Sequence, residues 1–164
     1  MSELPMSESL TREPETDEPT TALDVTIQAQ ILDLLQDMKE RFGMAVMLIT
    51  HAMGVVAETA QRVVVMYAGK IVEEADVDSL FESPGHPYTQ GLIRSIPRID
   101  AEAARGSRLV SIPGTVPSLV EPPPGCRFAP RCAYARDACT QATPALREVG
   151  PGHRVACILE EAPP

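Results

Sequence analysis

The chain has 164 residues, of which 44% are hydrophobic, and a formal net charge of −9. One domain is the default at this length, with room for a small second unit. An acidic chain without a basic stripe excludes nucleic acid as the expected partner, and apolar runs as short as residues 44–49 cannot cross a bilayer. Because Trp is absent and aromatic residues make up only 4% of the chain, we expect an aliphatic core of Val, Ile, Leu, Ala and Met.

The first elements in chain order are a disordered segment, a helix and a strand. Residues 1–16 are polar and acidic, which predicts a disordered lead-in, and no charged-then-apolar leader opens them, so we expect a cytoplasmic location. A helix is predicted over residues 25–42, with Asp24 as its N-cap and Gly43 as its C-terminal stop. Its apolar stripe consists of Ile27, Ile31, Leu34, Leu35, Met38 and Phe42. The apolar run of residues 44–50 predicts a strand buried on both faces.

The following elements are typical of the end of an α/β domain. Residues 55–60 predict a short helix, and residues 62–68 and 70–75 predict two strands joined by a tight turn at Gly69. One or two short helices are predicted around the stretch His86-Pro87-Tyr88.

Residues 99–164 differ in character from the rest of the chain. They contain all four cysteines, are rich in proline and show little periodicity. This composition predicts a loop-rich appendage that something other than a large core must hold together.

The stretch DEPTTALD, residues 17–24, places three carboxylates around a turn-forming proline. Adjacent Asp17 and Glu18 could hold Mg²⁺ and polarise a water molecule. Taken alone, such a pair is commonplace and is better explained as a solvated turn. His51 follows the predicted buried strand, at the end where open α/β sheets bind ligands. Taken alone, His51 is as well explained as a loop histidine without a task.

Several motifs together resemble a known family, and they occur in that family's order. DEPTTALD, ITHAMGVVAE and VMYAGKIVE are similar to the second half of an ABC-transporter ATP-binding subunit. HPYTQGLIRSIP and the closing GCRFAPRCAYA and PALREVGPGHRVAC resemble the oligopeptide/dipeptide importer branch. The resemblance covers residues 17–159. It implies an α/β fold in which residues 17–98 are the C-terminal part of a P-loop NTPase domain and residues 99–164 are a cysteine-bearing, loop-rich extension.

The resemblance also implies roles for the residues that match the family's motifs. Asp17 matches the Walker B aspartate that helps hold Mg²⁺ with ATP, and Glu18 matches the catalytic glutamate that orients or deprotonates the attacking water. Asp24 falls in the D-loop, which faces a second ATP-binding subunit. His51 matches the switch histidine that senses the γ-phosphate. Positioning and charge neutralisation supply most of the catalysis in phosphoryl transfer, and these residue types suit that chemistry.

Other parts of the family's pattern do not occur in this sequence. There is no G-x-x-x-x-G-K-S/T phosphate loop, because the only Gly-Lys pair, Gly69-Lys70, is followed by Ile71, and there is no Gly-Gly pair for a signature loop. Position 52 is Ala where the family usually has Asp. Without loop amides and a lysine to cradle phosphates, ATP should bind very weakly. We therefore expect a truncated subunit that is not an ATPase by itself.

The cysteines follow the spacing C-x5-C-x6-C-x17-C, at Cys126, Cys132, Cys139 and Cys157. In a reducing cytoplasm such residues are metal ligands or free thiols more often than disulfides. Zinc usually prefers closer pairs, whereas an iron–sulfur cluster accepts four thiolates from irregular loops, and Arg127, Arg131 and Arg136 would offset its charge. The resemblance suggests a 4Fe–4S cluster. Free thiols, and more weakly zinc, remain the alternatives.

For the complete subunit, the resemblance implies ATP hydrolysis coupled to oligopeptide or dipeptide import, with ATP and Mg²⁺ as cofactors. The implied partners are a second ATP-binding subunit, membrane permease subunits and, indirectly, an extracytoplasmic peptide-binding protein, with no nucleic acid. The implied location is the cytoplasmic face of the cell membrane, as a peripheral protein. The alternative is a non-catalytic iron–sulfur- or zinc-binding module with a structural or regulatory role.

Overall fold

The computed structural model describes residues 25–96 and 111–159. They divide between two compact units, one ending at Leu48 and the other beginning at Ile49. The predicted lead-in, residues 1–16, lies outside the described residues. No helix in the described part of the chain is long and apolar enough to cross a membrane.

The first unit contains helix α1 (Val25–Phe42), which confirms the helix predicted over these residues. Lys39 and Arg41 lie in its last turn, where the helix dipole favours positive charge. Gly43 follows with a φ of +61°, and the Met44 N–H donates to the Lys39 carbonyl at 3.2 Å. This is the Schellman arrangement, so the predicted stop at Gly43 is confirmed.

The strand predicted at residues 44–50 is wrong. The structure describes neither helix nor strand there, and Met47 and Ile49 are 87% and 91% exposed. An apolar run forms a central strand only when other strands pair with its edges and further elements cover its faces. Within residues 25–96 and 111–159, no strand pairs with this run, and its side chains remain exposed.

The second unit is built on a four-stranded antiparallel sheet with the order β1-β2-β4-β3. The strands are β1 (Arg62–Tyr67), β2 (Lys70–Asp76), β3 (Arg147–Gly150) and β4 (His153–Val155). The β1–β2 hairpin confirms the predicted pair, and its turn residues Ala68 and Gly69 have φ values of +47° and +78°, as a type I′ turn requires. The described fold is therefore a mixture of helices and strands around a small antiparallel sheet, and the parallel sheet expected of an α/β domain is not formed by the described residues.

Short helices complete the second unit. They are α2 (Met53–Thr59), α3 (Val77–Glu82), α4 (Pro87–Arg94) and α5 (Asp137–Gln141), together with a 3₁₀ turn at Ala129–Arg131. The helix predicted at residues 55–60 and the helices predicted around His86-Pro87-Tyr88 are confirmed. Asp76 caps α3 by accepting the Ser79 N–H at 2.9 Å, and Pro87 opens α4, where its missing N–H is not needed.

The C-terminal residues belong to the same sheet as the β1–β2 hairpin. Glu73 of β2 pairs with Val155 of β4, and the Ala156 N–H donates to the Val72 carbonyl at 2.8 Å. Neither β3 nor β4 was predicted, because strands of four and three residues are too short to show an alternating pattern. Sheet pairing therefore helps to hold the segment that the sequence presents as a loop-rich appendage.

The core of the second unit is not purely aliphatic, which corrects the prediction from composition. Its buried members are Val65, Tyr67, Val72, Ala75, Leu80 and Phe128. The rings of Tyr67 and Phe128 lie 5.1 Å apart between centroids, and the Tyr88 ring lies 4.7 Å and 5.5 Å from them. Aromatic pairs of this kind contribute about 0.5–1.5 kcal/mol beyond the area that they bury. Three aromatic rings from separate segments therefore pack together with the aliphatic core residues.

Candidate functional site: a cavity lined by four cysteines

Three of the residues matched to nucleotide chemistry, Asp17, Glu18 and Asp24, lie outside the described residues. The fourth, His51, is exposed and precedes α2. Beside it, the Ala52 N–H donates to the Thr50 hydroxyl at 3.0 Å. The nucleotide-related roles of all four residues stay predictions.

Glu73 on β2 is a fully buried carboxylate that was not predicted as a site residue from the sequence. Its Oε1 accepts the Gly85 N–H at 2.6 Å and lies 2.7 Å from His153 Nε2, while its Oε2 accepts the His86 N–H at 2.9 Å. One carboxylate thus joins β2, β4 and the turn before α4. A signal for it exists in the sequence: Glu73 and Glu74 are adjacent in a strand, and neighbouring side chains face opposite sides, so one of them must point inward.

His86 connects this carboxylate to the cysteine loops. It is 1% exposed, and its Nδ1 accepts the Tyr88 N–H at 3.0 Å, which caps α4. Its ring lies 5.8 Å from the Phe128 ring between centroids. Burial lowers the pKa of His86 to about 4, against the attraction of the Glu73 carboxylate. The ring is therefore neutral at pH 7, and because Nδ1 accepts a hydrogen bond, the ring proton is on Nε2.

All four cysteines line one cavity, and His86 lies in its wall. Cys126 and Cys132 flank the 3₁₀ turn, Cys139 lies on α5 and Cys157 follows β4, and all four are free thiols. The other lining residues are Pro87, Phe128, Ala129, Tyr134, Pro144, Ile158 and Leu159. The enclosed space is about 20 Å³, which is room for about one water molecule. A larger group fits only if the loops move apart.

Gly125 allows the loops that carry Cys126 and Cys139 to approach each other closely. Its φ is +76°, and the Cys126 N–H that follows donates to the Cys139 carbonyl at 2.7 Å. A Cβ at position 125 would lie 2.3 Å from that same carbonyl oxygen. The Thr143 hydroxyl donates to the Gly125 carbonyl at 2.9 Å. Only glycine fits this approach of backbone to backbone.

The thiols are affected by burial and by one another. Burial raises the pKa of Cys126, and the neighbouring Cys139 and Cys157 add to that rise. Burial also raises the pKa of Cys132, with Cys157, Cys126 and Cys139 acting in the same direction. These two thiols are therefore protonated near neutral pH unless a metal takes the place of the proton.

Backbone N–H groups surround the sulfurs and favour their ionised form. Those of Phe128 and Ala129 oppose the rise in the pKa of Cys126, and that of Tyr134 opposes the rise in the pKa of Cys132. The Arg136 N–H lies 3.5 Å from the sulfur of Cys139. Such donors stabilise thiolate ligands, so the chemistry of the donor set fits a metal-bound sulfur site.

Among the described residues, no three His, Cys, Asp or Glu side chains form a group that could hold a metal ion. The four-cysteine site therefore stays a prediction, for a 4Fe–4S cluster and for zinc alike.

Two of the three arginines expected to offset a cluster's charge, Arg127 and Arg131, make other contacts. Arg127 donates to the Ala68 carbonyl in the β1–β2 turn. Arg131 donates to the Pro113 carbonyl at 2.8 Å and the Ile112 carbonyl at 2.7 Å, and its guanidinium lies 5.9 Å from the centroid of the Tyr67 ring. Both side chains therefore tie the cysteine loops to the rest of the unit.

Comparisons with known proteins agree with the resemblance in the sequence. The family described as "Oligopeptide/dipeptide transporter, C-terminal region" matches residues 72–139, from β2 to the third cysteine. A "probable peptide ABC transporter ATP-binding protein" of Sinorhizobium fredii is 61% identical over 86% of this chain. The oligopeptide transport ATP-binding proteins OppD of Mycobacterium tuberculosis and AppD of Bacillus subtilis are 55% and 54% identical, each over 88% of this chain.

The match covers only part of each relative. The chain spans 42% of the Sinorhizobium protein, 43% of the Bacillus protein and 23% of the Mycobacterium protein. Over most of its own length it is thus similar to ATP-binding proteins of peptide ABC transporters, and residues 72–139 match the C-terminal region of oligopeptide/dipeptide transporters.

Proposed function

We propose that this chain provides the C-terminal part of an ATP-binding subunit that couples ATP hydrolysis to the import of oligopeptides or dipeptides. The observation that carries the proposal is the 61% identity, over 86% of the chain, to a probable peptide ABC transporter ATP-binding protein. The family match at residues 72–139 supports the peptide branch independently of the nucleotide motifs.

In the proposed subunit, the residues near the start of this chain act on ATP and Mg²⁺. Asp17 helps to hold Mg²⁺, Glu18 orients or deprotonates the attacking water, and His51 senses the γ-phosphate. Asp24 faces a second ATP-binding subunit. The subunit is peripheral on the cytoplasmic face of the membrane, where it binds permease subunits and acts indirectly with an extracytoplasmic peptide-binding protein.

A chimera tests this proposal. This chain replaces the matching part of the Sinorhizobium protein, which is 42% of that protein's length. The other 58% of the chimera's template, 100% minus 42%, keeps the Sinorhizobium sequence. We expect magnesium-dependent ATP hydrolysis by the chimera, and its loss in Glu18→Gln with nucleotide binding retained, since glutamine keeps the shape of glutamate but cannot take a proton.

Glu58→Gln is the matched control, because Glu58 is an exposed glutamate on α2. It should hydrolyse ATP at the rate of the parent chimera. A Glu18→Gln chimera with the parent's turnover would show that Glu18 is not the catalytic carboxylate. A folded parent chimera that hydrolyses no ATP, beside an active intact relative, would contradict the proposal as a whole.

The four cysteines favour a second role, a 4Fe–4S cluster in the C-terminal part of the subunit. The support is their convergence on one cavity and the N–H groups around their sulfurs. When bound, such a group supplies a redox-active centre and four covalent links between loops. The chain's own residues hold the sulfurs, shield them with apolar side chains and stabilise their negative charge.

Serine variants test the cluster. In protein prepared anaerobically we expect to find iron and sulfide. Replacing any one ligand should remove both and speed proteolysis of residues 111–159, because all four thiolates complete the same coordination shell. The variants are Cys126→Ser, Cys132→Ser, Cys139→Ser and Cys157→Ser. Zinc in place of iron would support the weaker alternative. Chain without any metal, with all four variants as protease-resistant as the parent, would leave the cysteines as packing residues.

A further inference from the structure

We propose that Cys126 and Cys139 are a redox-sensitive thiol pair, which a small disulfide such as oxidised glutathione closes to an internal disulfide bond and a small thiol opens again. The bond links the loop before the 3₁₀ turn to helix α5. The pair needs neither ATP nor a bound metal, because the reaction is that of the chain with its cysteines as free thiols. Reversible disulfides of this kind are the ones that reducing compartments allow.

Cys126 and Cys139 are joined through their backbones. The Cys126 N–H donates to the Cys139 carbonyl at 2.7 Å. With standard bond lengths, this contact limits the distance between the two Cα atoms to about 6.6 Å. Disulfides join Cα atoms that lie about 4.4–6.8 Å apart. Because both side chains also line the same cavity, the bond can form by rotation of the side chains, without movement of the loops.

Gly125 and Thr143 hold the two loops in this position. Gly125 has a φ of +76°, and a Cβ there would lie 2.3 Å from the Cys139 carbonyl oxygen, so the close approach requires a glycine. The Thr143 hydroxyl, from the segment after α5, donates to the Gly125 carbonyl at 2.9 Å. Thiols that the fold already holds together react with each other faster than thiols that must first meet.

The geometry favours this pair over the other combinations of cysteines. In the described part of the chain, no backbone hydrogen bond joins Cys132 or Cys157 to another cysteine. The electrostatics agree, because the effect of one thiol on another falls with distance. Burial raises the pKa of Cys126 most, and among the other thiols Cys139 adds more than Cys157. Burial likewise raises the pKa of Cys132, and there Cys157 is the thiol that adds most.

Exposure decides the order of the two steps. Cys126 is half-buried and Cys139 is buried, so a small disulfide in solution reaches the Cys126 sulfur first. The Cys126 thiolate attacks one sulfur of the small disulfide, breaks its S–S bond and releases one small thiol. The Cys139 thiolate then attacks the Cys126 sulfur and releases the second small thiol. The two protein thiols lose two electrons and two protons, and the two released thiols carry them.

Peptide mapping of the full chain tests the pair. The chain is treated with a chelator and a reductant, desalted, incubated with oxidised glutathione at mildly alkaline pH and then alkylated. Trypsin cleaves after arginine, and at least one arginine lies between every two successive cysteines, so mass spectrometry assigns each linked peptide. We expect the Cys126–Cys139 link as the main product and a loss of two of the four thiols. Dithiothreitol should restore both thiols.

Two double variants provide a matched comparison. Cys132→Ser with Cys157→Ser keeps the pair, whereas Cys126→Ser with Cys139→Ser keeps the other two thiols. The first should close at least about tenfold faster than the second, since its thiols are held together. In the single variant Cys139→Ser, the reaction should stop at a glutathione adduct on Cys126.

The parent chain alone can overturn the proposal, whether or not the variants fold. It is wrong if no internal disulfide forms, if Cys126 links mainly to Cys132 or Cys157, or if a glutathione adduct on Cys126 persists beside a free Cys139. Equal closure rates in two folded double variants would also contradict it. Because the chain is tested without metal and without nucleotide, none of these outcomes bears on the proposed transport function.

Discussion

Replacing Glu73 by Gln should destabilise the second unit strongly. The Glu73 carboxylate is fully buried and has three partners, the Gly85 and His86 N–H groups and His153 Nε2. A glutamine has one accepting oxygen instead of two, and its NH₂ group would face a donor. Removing one partner from a buried charged network costs about 3–5 kcal/mol. That is a large part of the total stability of a small domain, about 5–15 kcal/mol.

Glu74→Gln is the matched control, since it changes the next residue of the same strand. Glu74 contacts Arg62 at 2.6 Å and also Arg154, and these arginine side chains are 50% and 47% exposed. The guanidinium of Arg62, with further help from Arg154, lowers the pKa of Glu74. Solvated ion pairs contribute about 0–1 kcal/mol, so the control should unfold close to the parent.

Urea titration followed by tyrosine fluorescence measures the difference. All three tyrosines, Tyr67, Tyr88 and Tyr134, lie in the second unit, and the chain has no Trp. The signal therefore reports this unit alone. A Glu73→Gln protein within about 1 kcal/mol of the Glu74→Gln protein, well under the loss expected for a buried pair, would refute the idea that Glu73 holds β2, β4 and the turn before α4 together.

Three further predictions concern acid, backbone geometry and nucleotide. Burial lowers the pKa of His86 from 6.5 to about 4, so the imidazole binds a proton more tightly in the unfolded chain than in the folded one. Lowering the pH from 6.5 to 4 should therefore reduce the free energy of unfolding by up to about 3 kcal/mol. In His86→Phe, urea midpoints should not show this loss of stability. Gly125→Ala places a Cβ 2.3 Å from the Cys139 carbonyl oxygen, whereas the Cβ of Gly43→Ala meets open space at a similar positive φ. In calorimetry, the Gly125→Ala protein should unfold its second unit at a clearly lower temperature. The Gly43→Ala substitution should cost only about 1 kcal/mol of stability. The chain by itself should show no ATP binding in calorimetry at micromolar concentrations, because its sequence has no phosphate loop; micromolar affinity with magnesium-dependent turnover would contradict this.

Local signals in the sequence predicted the elements that local interactions determine. Helix α1 has a sustained apolar stripe and is followed by Gly43, and the β1–β2 pair has β-branched residues on both sides of Gly69. In each case the residues that decide the structure lie within a few positions of one another. The same holds for the start of α3, where Asp76 accepts a hydrogen bond from Ser79 three positions later.

The elements that the sequence did not predict depend on distant partners. β4 is three residues long and exists because β2 lies beside it, 80 positions earlier in the chain. Residues 44–50 have the composition of a buried strand, but no strand of the described residues pairs with them. Phe128 joins Tyr67 and Tyr88 from separate segments, so the aromatic core could not be read from composition.

The candidate site was predicted in part. The sequence singled out the four cysteines, and the structure places all four around one cavity. The metal chemistry predicted for them stays a prediction. The sequence did not identify Glu73 or His86, because the task of each depends on what lies across the fold. Glu73 needs His153, which is 80 residues away, and His86 needs the loops of the C-terminal segment.

Peptide uptake by living cells is the decisive measurement of the proposed role in peptide import. A strain that lacks its own importer ATP-binding subunit, and that needs an amino acid supplied only as a short peptide, receives the chimera of this chain with the Sinorhizobium protein. We expect the chimera to restore peptide-dependent growth and Glu18→Gln to abolish it. A chimera that is expressed and hydrolyses ATP but restores no uptake, where the intact relative does, would contradict the assignment to peptide import.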